Sequence, residues 1–169
     1  MSLNELKMTD EVLAPKASIK INYDGPTPSA AINIIKTLGK KYFRVPSKFW
    51  YEDKFTFVDI GSKVELYAEW NARTKFDRYT KYRFRLIYHM FEDKKTKEGN
   101  FYLTIRPTIE TKFSYRNVLE RLFYLIFMKM FYYKQRRNYM DELKKWTLDF
   151  KEAMLNAFGT NVKEDLEGV

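Results

Sequence analysis

No cysteine occurs among the 169 residues, and histidine occurs once, as His89. The first absence excludes disulfides, thiolate metal sites and a cysteine nucleophile. The second excludes a histidine-rich metal centre, so that only an oxygen-ligand site for magnesium or calcium stays open. Glycines such as Gly61 and Gly99 stand alone as turn residues, and neither a Gly-rich phosphate loop nor a nucleophile elbow is present. Long hydrophobic runs are missing too. The longest, Leu122–Met128, resumes after Lys129 as Met130–Tyr133, and together they fall short of the roughly 20 residues that span a bilayer. The opening MSLNELKMTDEVLAPK has no apolar signal core, so cytoplasmic residence is the expectation. No repeat or low-complexity segment breaks the chain.

Apolar residues make up 45% of the sequence and aromatics 18%, with 14 Phe and 13 Tyr. That is ample for one buried core and excludes disorder of the whole chain. The net charge of +9 favours phosphate-bearing partners or an anionic membrane face. Abundant Lys, Tyr and Ile without Cys also suit a thermophilic source, where ion-pair networks give basic residues another purpose.

Periodicity divides the chain into a flexible arm or short surface helix over 1–16, one α+β domain over 17–158, and a mobile tail over 159–169. Ala17–Asp24 alternates, with Ile19, Ile21 and Tyr23 on one face, and predicts a half-buried strand. Thr27 is placed to cap a helix that starts at Pro28, buries Ala31, Ile34, Ile35 and Leu38, and exits at Gly39. Lys40–Lys48 reads as a connection ending near a short helix. From Phe49 to Phe113 the pattern is antiparallel sheet. Val64, Leu66, Ala68 and Trp70 share a face, as do Tyr82, Phe84, Leu86, Tyr88 and Met90. Turns are required at Ile60–Ser62, within Asn71–Arg78 and in Glu92–Asn100. Pro107 marks a bend, a bulge or an edge, since it has no N–H for a central ladder.

Ser114 is the predicted cap of one or two helices over 115–158. A single straight helix there would measure about 66 Å at 1.5 Å per residue, so a break, kink or overhang is expected between Phe127 and Lys134. Val118–Tyr133 is apolar almost all round, which predicts burial on several sides or contact with a second chain. The stripe Tyr139, Leu143, Trp146, Phe150, Met154 and Phe158 predicts a helix gripping one sheet face, ended by Gly159.

The Gly25–Ala31 entry into a helix, the aromatic segment Phe49–Phe57 and the Arg136–Phe158 cadence give an order that resembles the helix-grip architecture of the START and Bet v 1-like superfamily. Its polyketide-cyclase-like and lipid-transfer members show the same order. The resemblance implies a curved sheet around the terminal helix, with an apolar cavity for a lipid or other hydrophobic molecule between them. Trp70, Tyr82, Phe84, Leu86, Tyr88 and Leu103 would line it from the sheet. Tyr139, Leu143, Trp146 and Phe150 would line it from the helix, with tyrosine phenols orienting a ligand oxygen. The same residues at the same spacing also suit a filled core.

The resemblance carries no catalytic residue and no cofactor, and no catalytic constellation is evident. His89 with Glu92 or Asp93 is the nearest approach to an acid–base pair, and a polar surface position is the plainer expectation. Glu65 and Glu69 suit ion pairs with an adjacent basic strand. The strongest feature outside the core is Arg73, Lys75, Arg78, Lys81, Arg83 and Arg85 against a single Asp77. With Tyr67 and Tyr79 these basic residues would offer phosphate contacts and aromatic platforms for nucleic acid. Lys40, Lys41, Arg44, Lys134, Arg136 and Arg137 would extend that face if they share its side. A solvated ion-paired surface and an anionic lipid surface remain the rivals. The functional expectations are therefore a hydrophobic small molecule, a nucleic acid, or a structural role with a homo-oligomer through 118–133.

Overall fold

The computed structural model describes residues 4–159 and 162–164. Strand β1 (Asn4–Glu11) and β2 (Ile19–Pro26) precede a 3-10 turn and helix α1 (Ala31–Tyr42). Four long strands follow: β3 (Trp50–Ile60), β4 (Lys63–Lys75), β5 (Thr80–Asp93) and β6 (Glu98–Tyr115). Helix α2 (Val118–Phe127) passes through a π-helical turn at Met128–Tyr132 into α3 (Tyr133–Phe158), and β7 (Val162–Glu164) comes last. The strands form one antiparallel, open, curved sheet in the order β3-β4-β5-β6-β2-β7, with β1 also on β6. This is an α+β architecture compatible with a helix-grip fold.

Pro107 explains how β1 and β2 share one edge of β6. Strand β2 pairs with 98–105 and β1 with 108–115, so Arg106 and Pro107 fall in the gap between them. The Pro107 carbonyl faces that gap and accepts from the Val12 N–H at 3.3 Å. Within a strand residue N–H and C=O point the same way, so the missing N–H of Pro107 interrupts only the edge where no ladder runs.

The expected arm over 1–16 is different from the observed backbone: Asn4–Glu11 is a strand, because β6 is long enough to pair beyond β2. Thr27 does not cap α1; it adopts a left-handed conformation (φ 52°) with no side-chain cap. Gly39 is not the exit either, since the helix continues to Tyr42. A Cβ at Gly39 would lie 2.4 Å from the Trp50 ring, so glycine there admits that indole. Asn117 rather than Ser114 caps α2, accepting from Glu120 N at 2.8 Å while Glu120 accepts from Arg116 N at 2.6 Å, a reciprocal capping arrangement. Of the expected tail, β7 lies on β2, and the rest after Gly159 is outside the described residues, as are residues 1–3.

Both long helices lie on one face of the sheet. Leu143, Trp146, Phe150 and Met154 of α3 are buried with Ala31 and Ile35 of α1 against the inward residues of β4, β5 and β6. The terminal helix runs unbroken through 41 residues, about 61 Å at 1.5 Å per residue. Its irregularity is the π turn, inside the expected interval. Burial on several sides is not what Val118–Tyr133 has: Leu119 is 78% exposed and Phe123 64%. Only Tyr124, Phe127, Met128 and Tyr132 turn inward, forming a second small cluster with Phe113 and Tyr79.

Candidate nucleic-acid interface

Strand alternation sends every second residue of β4, β5 and β6 away from the helices, and pairing register decides which of these meet. Asn71 lies opposite Arg85, and Arg85 opposite Arg106; Arg73 lies opposite Arg83, and Lys75 opposite Lys81. Side chains directly opposite on an antiparallel pair have Cβ atoms about 4.5–5.5 Å apart, and like charges there are destabilising. Two adjacent rows of the outer face therefore bring arginine against arginine.

Few carboxylates answer them. Glu69 is bound by Arg85 at 2.6 Å, and Glu110 is held by Lys7 at 2.8 Å and Lys112 at 3.6 Å. Arg73, Lys75, Arg83 and Arg106 have no carboxylate partner among the described residues, whereas Lys81 lies directly opposite Glu110. Arg73 instead lies over the Tyr51 ring at 4.8 Å, and Lys54 over Tyr67 at 4.9 Å. Tyr51 and Tyr102 are 38% and 46% exposed on the same face, with Tyr102 opposite His89 and His89 opposite Tyr67. The Arg85 guanidinium holds the Glu69 carboxyl below its usual range. Partial burial and the neighbouring Glu69 push the Tyr67 phenol up, so it remains a donor to Glu69 at 3.3 Å. The face thus carries two rows of guanidinium groups, flanked by Tyr51 at the β3 edge and by the Tyr67–His89–Tyr102 row beyond Glu69, Ile87 and Thr104.

His89 forms no pair with Glu92 or Asp93. Its Nε2 lies 2.7 Å from Glu65 Oε1 on the outer face, whereas Glu92 points inward and accepts from Ser29 N at 3.2 Å. Among the described residues no three His, Asp or Glu side chains gather as a metal-ligand set.

The expected extensions of the basic face do not join it. Tyr79 packs inward on Phe113 at 4.6 Å. Arg44 lies over Trp146 at 4.9 Å, and buried Arg136 reaches Thr111 at 3.0 Å and Asp10. These groups, like Lys40, Lys41, Lys134 and Arg137, belong to the helical side. Arg78 occupies the β4–β5 turn, over the Tyr79 ring at 5.7 Å. Conversely, Tyr51, Tyr102 and Arg106 belong to the outer face but were not among the sequence candidates. Their signal was the alternation of β3 and β6, usable only once the register was known.

The residues expected to line an apolar cavity are close together, packed on one another. Trp70, Tyr82, Phe84, Leu86, Tyr88, Leu103, Leu143, Trp146 and Phe150 are buried, and Tyr139 half-buried. Phe43, which follows α1, enters between sheet and helix, with its ring 3.8 Å from Phe84 and 4.7 Å from Phe150. The phenols expected to orient a ligand donate within the fold: Tyr82 to Phe43 O at 3.0 Å, Tyr88 to Pro28 O at 2.6 Å and Tyr139 to Asp77 at 3.1 Å. A half-open cleft of about 210 Å³ lies elsewhere, beside Val12, Tyr133, Arg136, Arg137, Met140, Asp141 and Lys144.

No protein-family model matches the chain, and no curated protein sequence matches it. No described helix is long and apolar enough to cross a membrane.

Proposed function

We propose that this chain is a nucleic-acid-binding module, holding a single strand across the outer face of β4, β5 and β6. The observation that carries this is the direct opposition of Arg73 to Arg83 and of Arg85 to Arg106. Such rows are unfavourable for folding, and phosphates placed between them offset the repulsion while Tyr51, Tyr67 and Tyr102 offer stacking surfaces to bases. The test is fluorescence anisotropy with single-stranded RNA, single-stranded DNA and duplex at several salt concentrations. Binding should fall with salt at a log–log slope of roughly 0.7 per neutralised phosphate of a single strand. Arg83→Glu with Arg106→Glu, both exposed and without ion pairs, should abolish it without unfolding the protein. Binding that ignores these substitutions would refute the proposal.

The helix-grip arrangement and element order favour a second proposal, a START or Bet v 1-like carrier of a hydrophobic molecule. It requires Phe43 to vacate the space beside Phe84 and Phe150. Native mass spectrometry of protein purified from its own host tests it: a retained apolar ligand supports it, and a bare chain counts against it.

A further inference from the structure

The outward face of α2 and the π turn is large, apolar and uncovered. Leu119 is 78% exposed, Leu122 54%, Phe123 64%, Ile126 49%, Met130 70% and Phe131 68%. At about 150–250 Å² for a large side chain, these six leave roughly 600–950 Å² of surface open. The largest such patch on a typical monomer is about 300–600 Å², whereas a stable interface needs about 800 Å² from each partner. The face is therefore the size of one half of a dimer interface.

The backbone is arranged to present it. Arg136 is buried on the sheet side of α3. Eleven residues make close to three α-helical turns, so an uninterrupted helix would point Leu125 at the sheet. The π turn takes up one extra residue. Tyr124 consequently stacks on Phe113 at 5.0 Å, while Leu125 is 42% exposed. The extra residue thus rotates Leu122 and Leu125 away from the protein and gives the inward side to Tyr124 and Phe127.

We propose that this face is the interface of a homodimer in which α2 of one copy packs against α2 of a second, antiparallel. A self-complementary patch needs a two-fold axis. With +9 on each chain, the antiparallel choice sends the two basic bodies to opposite ends of the helix pair, where a parallel one would set them side by side. The axis passes near Ile126, the middle of the apolar run.

Sedimentation velocity on the full chain tests this, with a species of twice 20.5 kDa expected at micromolar concentration. Phe123→Glu with Ile126→Glu should give a monomer with an unchanged far-UV spectrum, both side chains being exposed. Because the chain has no cysteine, Ile126→Cys supplies a single reporter. It should form a disulfide-linked dimer under mild oxidation, whereas Lys95→Cys in the β5–β6 loop should not. A wild-type monomer throughout the soluble range would overturn the proposal, as would a dimer that survives the double substitution. Flotation of a wild-type monomer with anionic phospholipid vesicles would overturn it as well, by assigning the face to a lipid surface.

Discussion

The Tyr132 hydroxyl lies 2.6 Å from Asp77 Oδ2 and joins the π turn of the terminal helix to the turn between β4 and β5. Asp77 Oδ1 accepts from the N–H groups of Tyr79 and Thr80 at 2.7 Å each, and Tyr139 adds a second phenol at 3.1 Å. The one carboxylate therefore shapes the hairpin that bears Arg73 and Arg83 and anchors the point where the helix changes face.

Replacing Asp77 with Ala should destabilise the protein by about 2 kcal/mol, the scale of hydrogen bonds to a charged group. Urea unfolding measures this directly. Tyr132→Phe should cost about 1 kcal/mol, because Asp77 keeps its backbone donors.

The same carboxylate gives a pH dependence. Partial burial would raise its pKa, but the hydrogen bonds from Tyr132, Thr80, Tyr79 and Tyr139 outweigh this and hold it below the usual range. A depressed folded value means that its stabilisation is fully present above the unfolded pKa of about 3.9 and is lost as pH falls through the folded value. Stability measured from pH 5 down to pH 2 should therefore fall less steeply in Asp77→Asn than in the parent.

Arg73→Gln should change stability by less than about 1 kcal/mol, since relief of a like-charged cross-strand pair is offset by loss of the cation–π contact with the Tyr51 ring. The same change should weaken single-strand binding and flatten its salt dependence by about 0.7 for each phosphate no longer neutralised. Thermal unfolding and anisotropy on the one variant separate folding from function. A stability loss comparable to that of a core substitution would show that Arg73 serves the fold.

Phe43→Ala should cost about 3–5 kcal/mol, the usual range for a large aromatic removed from a core, given its contacts with Phe84 and Phe150. Denaturant unfolding provides the check. If the variant were as stable as the parent, the space would already tolerate vacancy and the carrier proposal would gain.

Gly99→Ala should be among the most damaging single-methyl additions. A Cβ there would lie 1.9 Å from the Phe91 carbonyl oxygen and 2.8 Å from Glu92 Cα. These are backbone atoms of a paired strand, so relief requires the β5–β6 hairpin to open. A lowered melting temperature and faster amide exchange across Phe91–Phe101 are the expected readouts.

The architecture was legible where periodicity and burial agree. Alternation through Val64–Trp70 and Tyr82–Met90 marked the buried sheet face, and Leu143, Trp146, Phe150 and Met154 marked the gripping stripe, because one-sided burial imposes a strict period on sequence. Edge pairing was less legible. Asn4–Glu11 is polar apart from Leu6 and Met8, and its strand conformation depends on a free edge of β6 about a hundred residues away.

The candidate face divides in the same way. Six basic residues over Arg73–Arg85 can be read along the chain, and strand alternation places most of them on one side. That Arg73 meets Arg83, that Arg106 joins Arg85, and that Tyr79 turns inward depend on the register of three strands, a tertiary property. The exposure of Val118–Tyr133 was likewise undecided by local sequence. An apolar helix buries whichever side the rest of the chain covers, and here the sheet's end and a π turn cover only the side of Tyr124, Phe127, Met128 and Tyr132. Composition and period determined the elements and their apolar faces; packing alone decided which faces have a partner within the chain.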